Sequence, residues 1–88
     1  MNIIIDKSFE KDTDKLGDKE LLIKIADCIE EVQSASNLSQ IRNVKKMKGA
    51  KNFYRIRIGD YRAGVIVEES TVEFIRFLHR KDIYKYFP

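Results

Sequence analysis

The sequence predicts an α+β fold, in which an N-terminal strand and a two-helix hairpin pack on a mostly antiparallel sheet of four to five strands. Three observations support this fold class. A short β-branched segment opens the chain, apolar residues at helical spacing follow, and the second half alternates apolar and polar residues between tight turns. At 88 residues, the chain is expected to form one domain, residues 1–88, with a modest core.

The first half is predicted to contain one strand and two helices. Asn2–Asp6 forms the strand. Ser8 is predicted to cap a first helix over Phe9–Leu16, which Gly17 ends, and a second helix is predicted over residues 18–36 with Asp18 at its start. The apolar residues of the second helix recur at spacings of three and four and are predicted to enter the core: Leu21, Leu22, Ile25, Cys28, Ile29, Val32 and Ala35.

The second half is predicted to form the sheet. A polar link, Asn37–Gln40, leads into it, and the tail His79–Pro88 is predicted to form a last helical turn that packs back through Ile83, Tyr84 and Phe87. The strands are expected at Ile41–Gly49, Phe53–Ile58, Ala63–Glu68 and Thr71–Leu78, with turns at Gly59-Asp60 and Glu69-Ser70.

The first hairpin is predicted to gather arginines on one face of the sheet. A two-residue Gly59-Asp60 turn sets Arg57 opposite Arg62 and Arg55 opposite Gly64. Directly opposite side chains share a face with Cβ atoms ~5 Å apart, where like charges repel. This arrangement indicates a bound anion, and a phosphodiester suits the fork geometry of arginine. The alternative is an ordinary half-buried strand that shows its arginines to water.

The other face of the sheet is expected to meet the helices. Its predicted members are Tyr54, Ile56, Ile58, Val65 and Val67. If the second turn has two residues, the arginine face also receives Ile75, Phe77 and His79. A one-residue slip reverses this assignment, and the alternation does not decide the register.

The charge distribution favours a polyanionic partner, with nucleic acid as the first candidate. Residues 42–62 carry eight basic side chains and one acidic side chain, a net charge of +7, whereas the net charge of the whole chain is +3. Four lysines either aid solubility or follow a phosphate backbone as RNA-binding residues: Lys45, Lys46, Lys48 and Lys51. No apolar run is long enough to span a membrane and no signal peptide opens the chain, so a cytoplasmic location without a membrane partner is expected.

The single cysteine and the single histidine limit the chemistry that is expected. Cys28 has no partner for an intramolecular disulfide, and its place in the apolar helical pattern predicts a buried, unreactive thiol. One Cys and one His do not make a zinc site by themselves. No metal and no other cofactor is expected.

Several segments together resemble the RelE/ParE superfamily of bacterial and archaeal toxins. These are a lysine-rich KMKG segment, then YRIRIGDYR, then a valine-rich strand and a closing HRKDIYKYF, and the resemblance covers essentially the whole chain. The RelE-type branch implies a toxin of a type II toxin–antitoxin system, an mRNA interferase. Such a toxin is a ribosome-dependent endoribonuclease that cuts mRNA in the A site of the 30S subunit, beside its rRNA. A cognate antitoxin protein neutralises it.

The same resemblance implies roles for individual residues. Arg62 matches the arginine placed at the scissile phosphate, and Tyr84 matches the C-terminal tyrosine that contacts the substrate base. The remaining catalytic candidates are Arg55 and Arg57, where the branch often has lysine, together with His79 and Arg80 after the last strand.

The implied reaction is a metal-independent attack of the RNA 2′-hydroxyl on the adjacent phosphorus. Arginine, with a pKa above ~12, is a poor general base. Histidine is the side chain that titrates near neutral pH, so His79 is the candidate acid or base, unless it only closes the last strand.

Two other readings stay open at this stage. The ParE side of the superfamily implies a toxin that binds and inhibits DNA gyrase and has no nuclease activity. The third reading is a chain that has lost catalysis and keeps only its binding to antitoxin or nucleic acid. The convergence of basic residues with Tyr84 favours the RNA-cleaving reading, because a gyrase binder does not need it.

Overall fold

Five strands form one sheet in the order β1-β5-β4-β3-β2. The computed structural model describes residues 1–49 and 51–88. The first strand lies parallel to the last, and all other neighbouring strands are antiparallel. The strands are β1 (Asn2–Ile5), β2 (Val44–Lys46), β3 (Phe53–Ile58), β4 (Tyr61–Glu68) and β5 (Thr71–His79).

Two helices cover one face of this sheet, which confirms the predicted α+β class. Helix α1 (Lys7–Asp14) packs on β5, and α2 (Lys19–Ser34) meets β1 and β3. The predicted polar link contains a short 3-10 helix, Leu38–Gln40, and the tail forms the one-turn helix α3 (Ile83–Tyr86). No helix within the described residues has the length and hydropathy that crossing a membrane demands.

The start of α1 differs from the prediction. Asp6, and not Ser8, is the N-cap residue, because its carboxylate accepts hydrogen bonds from the amide of Ser8 at 3.1 Å and from the Ser8 hydroxyl. A carboxylate at this position also interacts favourably with the positive end of the helix dipole. Helix α1 therefore begins and ends about two residues earlier than Phe9–Leu16. The predicted cap of α2 is confirmed, since the Asp18 carboxylate accepts the Leu21 amide at 3.1 Å.

The main core lies between the helices and the sheet. The predicted helix-facing residues of β3 and β4 belong to this core, together with buried residues of α1 and α2. Along α2, Leu21, Ile25 and Val32 are buried, whereas Leu22 remains 40% exposed. Successive residues of a helix point about 100° apart, so the sheet covers the row that contains Leu21 and leaves Leu22 outside it. The prediction that Leu22 enters the core is therefore wrong.

A β-bulge in β5 changes the register along the sheet. The Glu69-Ser70 turn has two residues, as predicted, and Val65 still lies opposite Phe74. The preceding residue of β4, Gly64, lies opposite Arg76, so Ile75 is an extra residue in β5.

The bulge moves the end of β5 to the other face. Ile75 stays on the arginine face, as predicted. Phe77 lies in the main core, where its ring stacks on Tyr61 at 5.1 Å between centroids, and His79 lies directly opposite Tyr61. The predicted placement of Phe77 and His79 on the arginine face is wrong, because one extra residue reverses every side chain that follows it.

A second, smaller apolar cluster lies on the arginine face. Its buried members are Met47, Ile83 and Phe87, and Phe53, Ile75 and Leu78 pack against them. The cluster seats α3 on the sheet, which confirms the predicted packing of Ile83 and Phe87. Tyr84, predicted to pack with them, instead remains 61% exposed.

Candidate nucleic-acid interface

A cavity of about 380 Å³ opens on the arginine face, where the β2–β3–β4 ladder meets α3. Most of its lining side chains are cationic. The lining residues are Asn43, Val44, Lys45, Arg55, Arg57, Arg62 and Tyr84.

The hairpin between β3 and β4 brings the arginines together, as predicted. Gly59 has a φ of +60°, which a two-residue turn requires at its first position. Arg57 lies directly opposite Arg62, and Arg55 lies directly opposite Gly64. The three arginines therefore share one face and line one cavity.

Backbone carbonyls of the turn hold the Arg62 guanidinium in place. Its Nη1 donates to the carbonyl oxygens of Gly59 at 3.1 Å and of Tyr61 at 2.9 Å. Among the described residues, its Nε and Nη2 have no hydrogen-bond partner in the protein. One edge of the guanidinium is thus fixed, and the other edge is available to a ligand.

Burial and neighbouring charge both act on Arg62. Burial is the largest cause that lowers the pKa of its guanidinium. Tyr84 acts in the opposite direction. Three neighbouring cations lower the pKa further: Arg57, Arg55 and Arg80. The repulsion between these cations destabilises the cluster, and a bound anion would offset it.

Tyr84 stands over Arg55 at the edge of the cavity. The guanidinium carbon of Arg55 lies 5.3 Å from the centre of the Tyr84 ring, within cation–π range. Tyr84 is 61% exposed, so much of its side chain remains open to solvent.

The four predicted lysines extend the positive surface away from the arginines. Lys45 lies opposite Arg55 and lines the arginine cavity itself. An adjoining groove of about 440 Å³ shares Lys45, Arg55 and Tyr84 with that cavity and adds Lys46 and Lys48. A further depression contains Lys46, Lys48 and Lys51. The lysines therefore form a path that leads out of the arginine cavity.

Internal ion pairs use other arginines. In the structure of residues 1–49 and 51–88, the two ion pairs are Arg76–Asp12 at 2.7 Å and Arg42–Glu31 at 2.9 Å. Neither involves a residue of the cavity lining, so no carboxylate within this part of the chain neutralises the arginine cluster.

The two predicted residues after β5 occupy different places. The amide of Arg80 donates to the carbonyl of Asp60 at 2.8 Å, which holds Arg80 beside the hairpin turn, close enough for its charge to act on Arg62. His79 lies on the helix-covered face and does not line the cavity. Its Nδ1 accepts a hydrogen bond from the amide of Lys81 at 3.2 Å. The structure brings Arg80 to the cluster and His79 away from it.

Comparison with known proteins identifies the family. Residues 3–84 match the family model described as the ParE toxin of the type II toxin–antitoxin system parDE. The chain belongs to the RelE/ParE superfamily of type II toxins. The toxin is also 43% identical to Toxin RelE3 of Methanocaldococcus jannaschii over 90 residues, a match that covers both chains in full.

Solved structures share the fold of this toxin. A chain in the RelB–RelE antitoxin–toxin complex from Methanococcus jannaschii is 41% identical with a TM-score of 0.80, over 97% of the toxin and 99% of that chain. The archaeal RelE–RelB complex from Pyrococcus horikoshii matches with a TM-score of 0.73 at 20% identity, over 90% and 93% of the two chains. At that identity, the second likeness concerns the fold alone.

The toxin also places Asn43 in the cavity, a residue that the sequence reasoning missed. Asn43 has a φ of +62°, and its carbonyl oxygen accepts the amide of Arg57 at 2.9 Å. Asparagine tolerates this left-handed conformation better than most residues. The sequence does contain a signal for this turn, because an asparagine stands directly before Val44, where strand β2 begins. Strand β2 pairs with β3, which carries Arg55.

Proposed function

We propose that this toxin is a ribosome-dependent endoribonuclease that cleaves mRNA in the ribosomal A site. The observation that carries the proposal is the direct pairing of Arg57 with Arg62 over a cavity that also contains Arg55 and Tyr84. Guanidinium groups bind phosphate oxygens through two parallel hydrogen bonds, and an exposed tyrosine ring offers a surface for a splayed base. The proposed place of action is the cytoplasm.

In the proposed reaction, the RNA supplies its own nucleophile. The 2′-hydroxyl oxygen attacks the adjacent phosphorus, the bond to the 5′-oxygen breaks, and a 2′,3′-cyclic phosphate and a protonated 5′-oxygen result. Arg62 and Arg57 stabilise the additional negative charge of the phosphorane, and Arg80 adds to the local positive potential. Tyr84 aligns the nucleotide, because an attacking oxygen held in line with the leaving oxygen accounts for much of the acceleration.

The role of His79 as acid or base stays a prediction. His79 lies on the helix-covered face, away from the arginine cavity. The proposal therefore rests on charge stabilisation by the arginines and not on proton transfer by His79. An active His79→Gln variant with an unchanged pH–rate profile would remove His79 from the mechanism.

The proposed protein partner is a cognate antitoxin, because the relative from Methanococcus jannaschii, at 41% identity, was solved as a RelB–RelE antitoxin–toxin complex. The proposed substrate complex is mRNA on the 30S subunit, and the lysine path is proposed to follow its phosphates. An uncompensated cationic surface is a suitable target for an acidic segment of the antitoxin.

Cleavage on programmed ribosomes tests the proposal. Purified toxin is added to ribosomes that hold a defined message, and primer extension maps the 5′ ends. The wild-type toxin should cut within the A-site codon. Arg62→Ala should lose about 100-fold or more of the single-turnover rate, in line with the removal of one donor to a developing oxyanion. Lys19→Ala removes the same charge from an exposed helix position and should leave the rate unchanged.

The second candidate function is inhibition of DNA gyrase, which the match to the ParE family model favours. Gyrase-linked DNA breaks in expressing cells, with intact message on ribosomes, would establish it and contradict the nuclease proposal.

Arg57→Lys tests whether cleavage needs the bidentate geometry of arginine at residue 57, because lysine keeps the charge but loses that geometry. Retention of the full rate would show that charge alone is sufficient at residue 57.

A further inference from the structure

A close contact lies within the second apolar cluster, beside the cavity. The ring of Phe87 covers Gly64 so closely that a Cβ atom on residue 64 would lie 2.6 to 2.8 Å from three of its ring carbons. Nonbonded carbon atoms pack at about 3.5–4.0 Å. Any side chain at residue 64 is therefore incompatible with the present position of the ring.

The backbone does not itself require glycine at this residue. Gly49 and Gly59 have φ angles of +76° and +60°, but the φ of Gly64 lies outside the left-handed region. Alanine can adopt the Gly64 conformation without strain. What glycine provides at residue 64 is space for Phe87.

Phe87 is connected to the cavity through α3. Its amide donates to the carbonyl of Ile83 at 2.9 Å, and both side chains are buried, Ile83 at 0% and Phe87 at 2% exposure. A single helical turn is not stable alone in water. The position of α3 therefore depends on how these two residues are seated on the sheet, and α3 carries Tyr84.

We propose that Gly64 and Phe87 are positioning residues that hold Tyr84 over Arg55. Phe87 fits into the space above Gly64, α3 is fixed against the sheet, and the Tyr84 ring is held 5.3 Å from the guanidinium carbon of Arg55. The consequence for RNA cleavage rests on the proposed function, whereas the seating of α3 does not.

Hydrogen exchange measures the seating directly. Gly64→Ala should accelerate amide exchange at Lys85, Tyr86 and Phe87 by about tenfold or more, the range expected from overpacking, while core amides of β4 and β5 keep their protection. The matched control is Gly17→Ala, because a Cβ at Gly17 meets nothing within 4 Å and Gly17 is not left-handed. Exchange in α3 within about twofold of that control would overturn the proposal.

Two double-variant cycles separate positioning from general loss of structure. In a Phe87→Ala background, Gly64→Ala should not accelerate exchange in α3 further, because the ring that it displaces is gone. In a Tyr84→Ala background, Gly64→Ala should not slow ribosome-dependent cleavage further. Additive effects in either cycle would contradict the proposed link from Gly64 through Phe87 to Tyr84.

The two readouts fail in different ways. A wild-type toxin that cleaves no message on ribosomes refutes the proposed function, and the exchange experiment still tests the contact. Normal cleavage by Gly64→Ala together with loosened α3 would show that Tyr84 needs no fixed position, which overturns the positioning role while the nuclease proposal stands.

Discussion

Asp12 joins α1 to the bulged strand and is the best position at which to test the tertiary structure. Its carboxylate accepts three hydrogen bonds: from Nε of Arg76 at 2.7 Å, from Nη2 of Arg76 at 3.2 Å and from the amide of Phe77 at 2.9 Å. The Asp12 side chain is 9% exposed and that of Arg76 is 29% exposed. Asp12→Ala removes all three hydrogen bonds and leaves a partly buried guanidinium and a backbone N–H without their partner.

The expected cost follows from that geometry. Removing one member of a buried ion pair costs about 3–5 kcal/mol. Water reaches part of Arg76 and compensates for part of the loss, so we expect a decrease of about 2–3 kcal/mol in the free energy of unfolding. In a domain of this size, such a decrease lowers Tm by about 10–20 °C.

Urea unfolding followed by circular dichroism measures the effect. Glu31→Ala is the matched control, since it breaks the pair with Arg42, whose side chain is 82% exposed, and should leave the midpoint nearly unchanged. An Asp12→Ala, Arg76→Met cycle should show a coupling of about 1–3 kcal/mol. Equal losses in Asp12→Ala and Glu31→Ala would refute the view that this pair fixes α1 on β5.

Three further perturbations test other parts of the fold. Hydrogen bonds from Ser8 lower the pKa of Asp6 below its ordinary 3.8, so the stabilisation by this cap is complete above pH 3.8 and is lost as the pH falls through the lower folded value. Urea titrations at several pH values should show a smaller acid loss in Asp6→Asn than in the wild type. Phe74→Ala should cost about 3–5 kcal/mol because Phe74 is fully buried, whereas Leu22→Ala should cost less than about 1 kcal/mol in the same assay. Burial, with a contribution from Glu31, raises the pKa of Cys28 from 9.0 to about 11, so its reaction with a thiol reagent at pH 8 should be about 100-fold slower in the folded toxin than in urea.

The arginine hairpin was predictable from sequence because every step in its derivation is local. The Gly59-Asp60 turn fixes the pairing, and the two-residue period of a strand then assigns Arg57 and Arg62 to one face. No distant contact changes that result.

The bulge depends on contacts between distant parts of the chain. Phe74 and Phe77 are three residues apart, yet both pack edge-on against Phe9 of α1, at 5.4 Å and 5.9 Å between ring centroids. Two residues at odd spacing reach one face of a sheet only if the strand gains a residue between them. The sequence shows the odd spacing, but only the packing of α1 determines that both rings enter the core, and His79 changes face as a result.

The place of Tyr84 was hidden for a similar reason. The resemblance assigned it a role, but its position over Arg55 depends on the fit of Phe87 to Gly64, two residues that are 23 positions apart in the chain. Only the folded sheet brings them into contact.

Alternate residues of β3 face the core and the cavity, so neighbouring positions of this strand are under different evolutionary constraints. Ile56 and Ile58 answer to the helices behind the sheet, and a change there decides whether the chain folds. Arg55 and Arg57 line the cavity on the opposite face, and under the proposed function a change there leaves a folded protein with altered chemistry. Among homologous toxins, sequence variation along this strand should therefore alternate with a period of two residues. The cavity-facing positions should vary with the target, and the core-facing positions should vary with the packing of the helices.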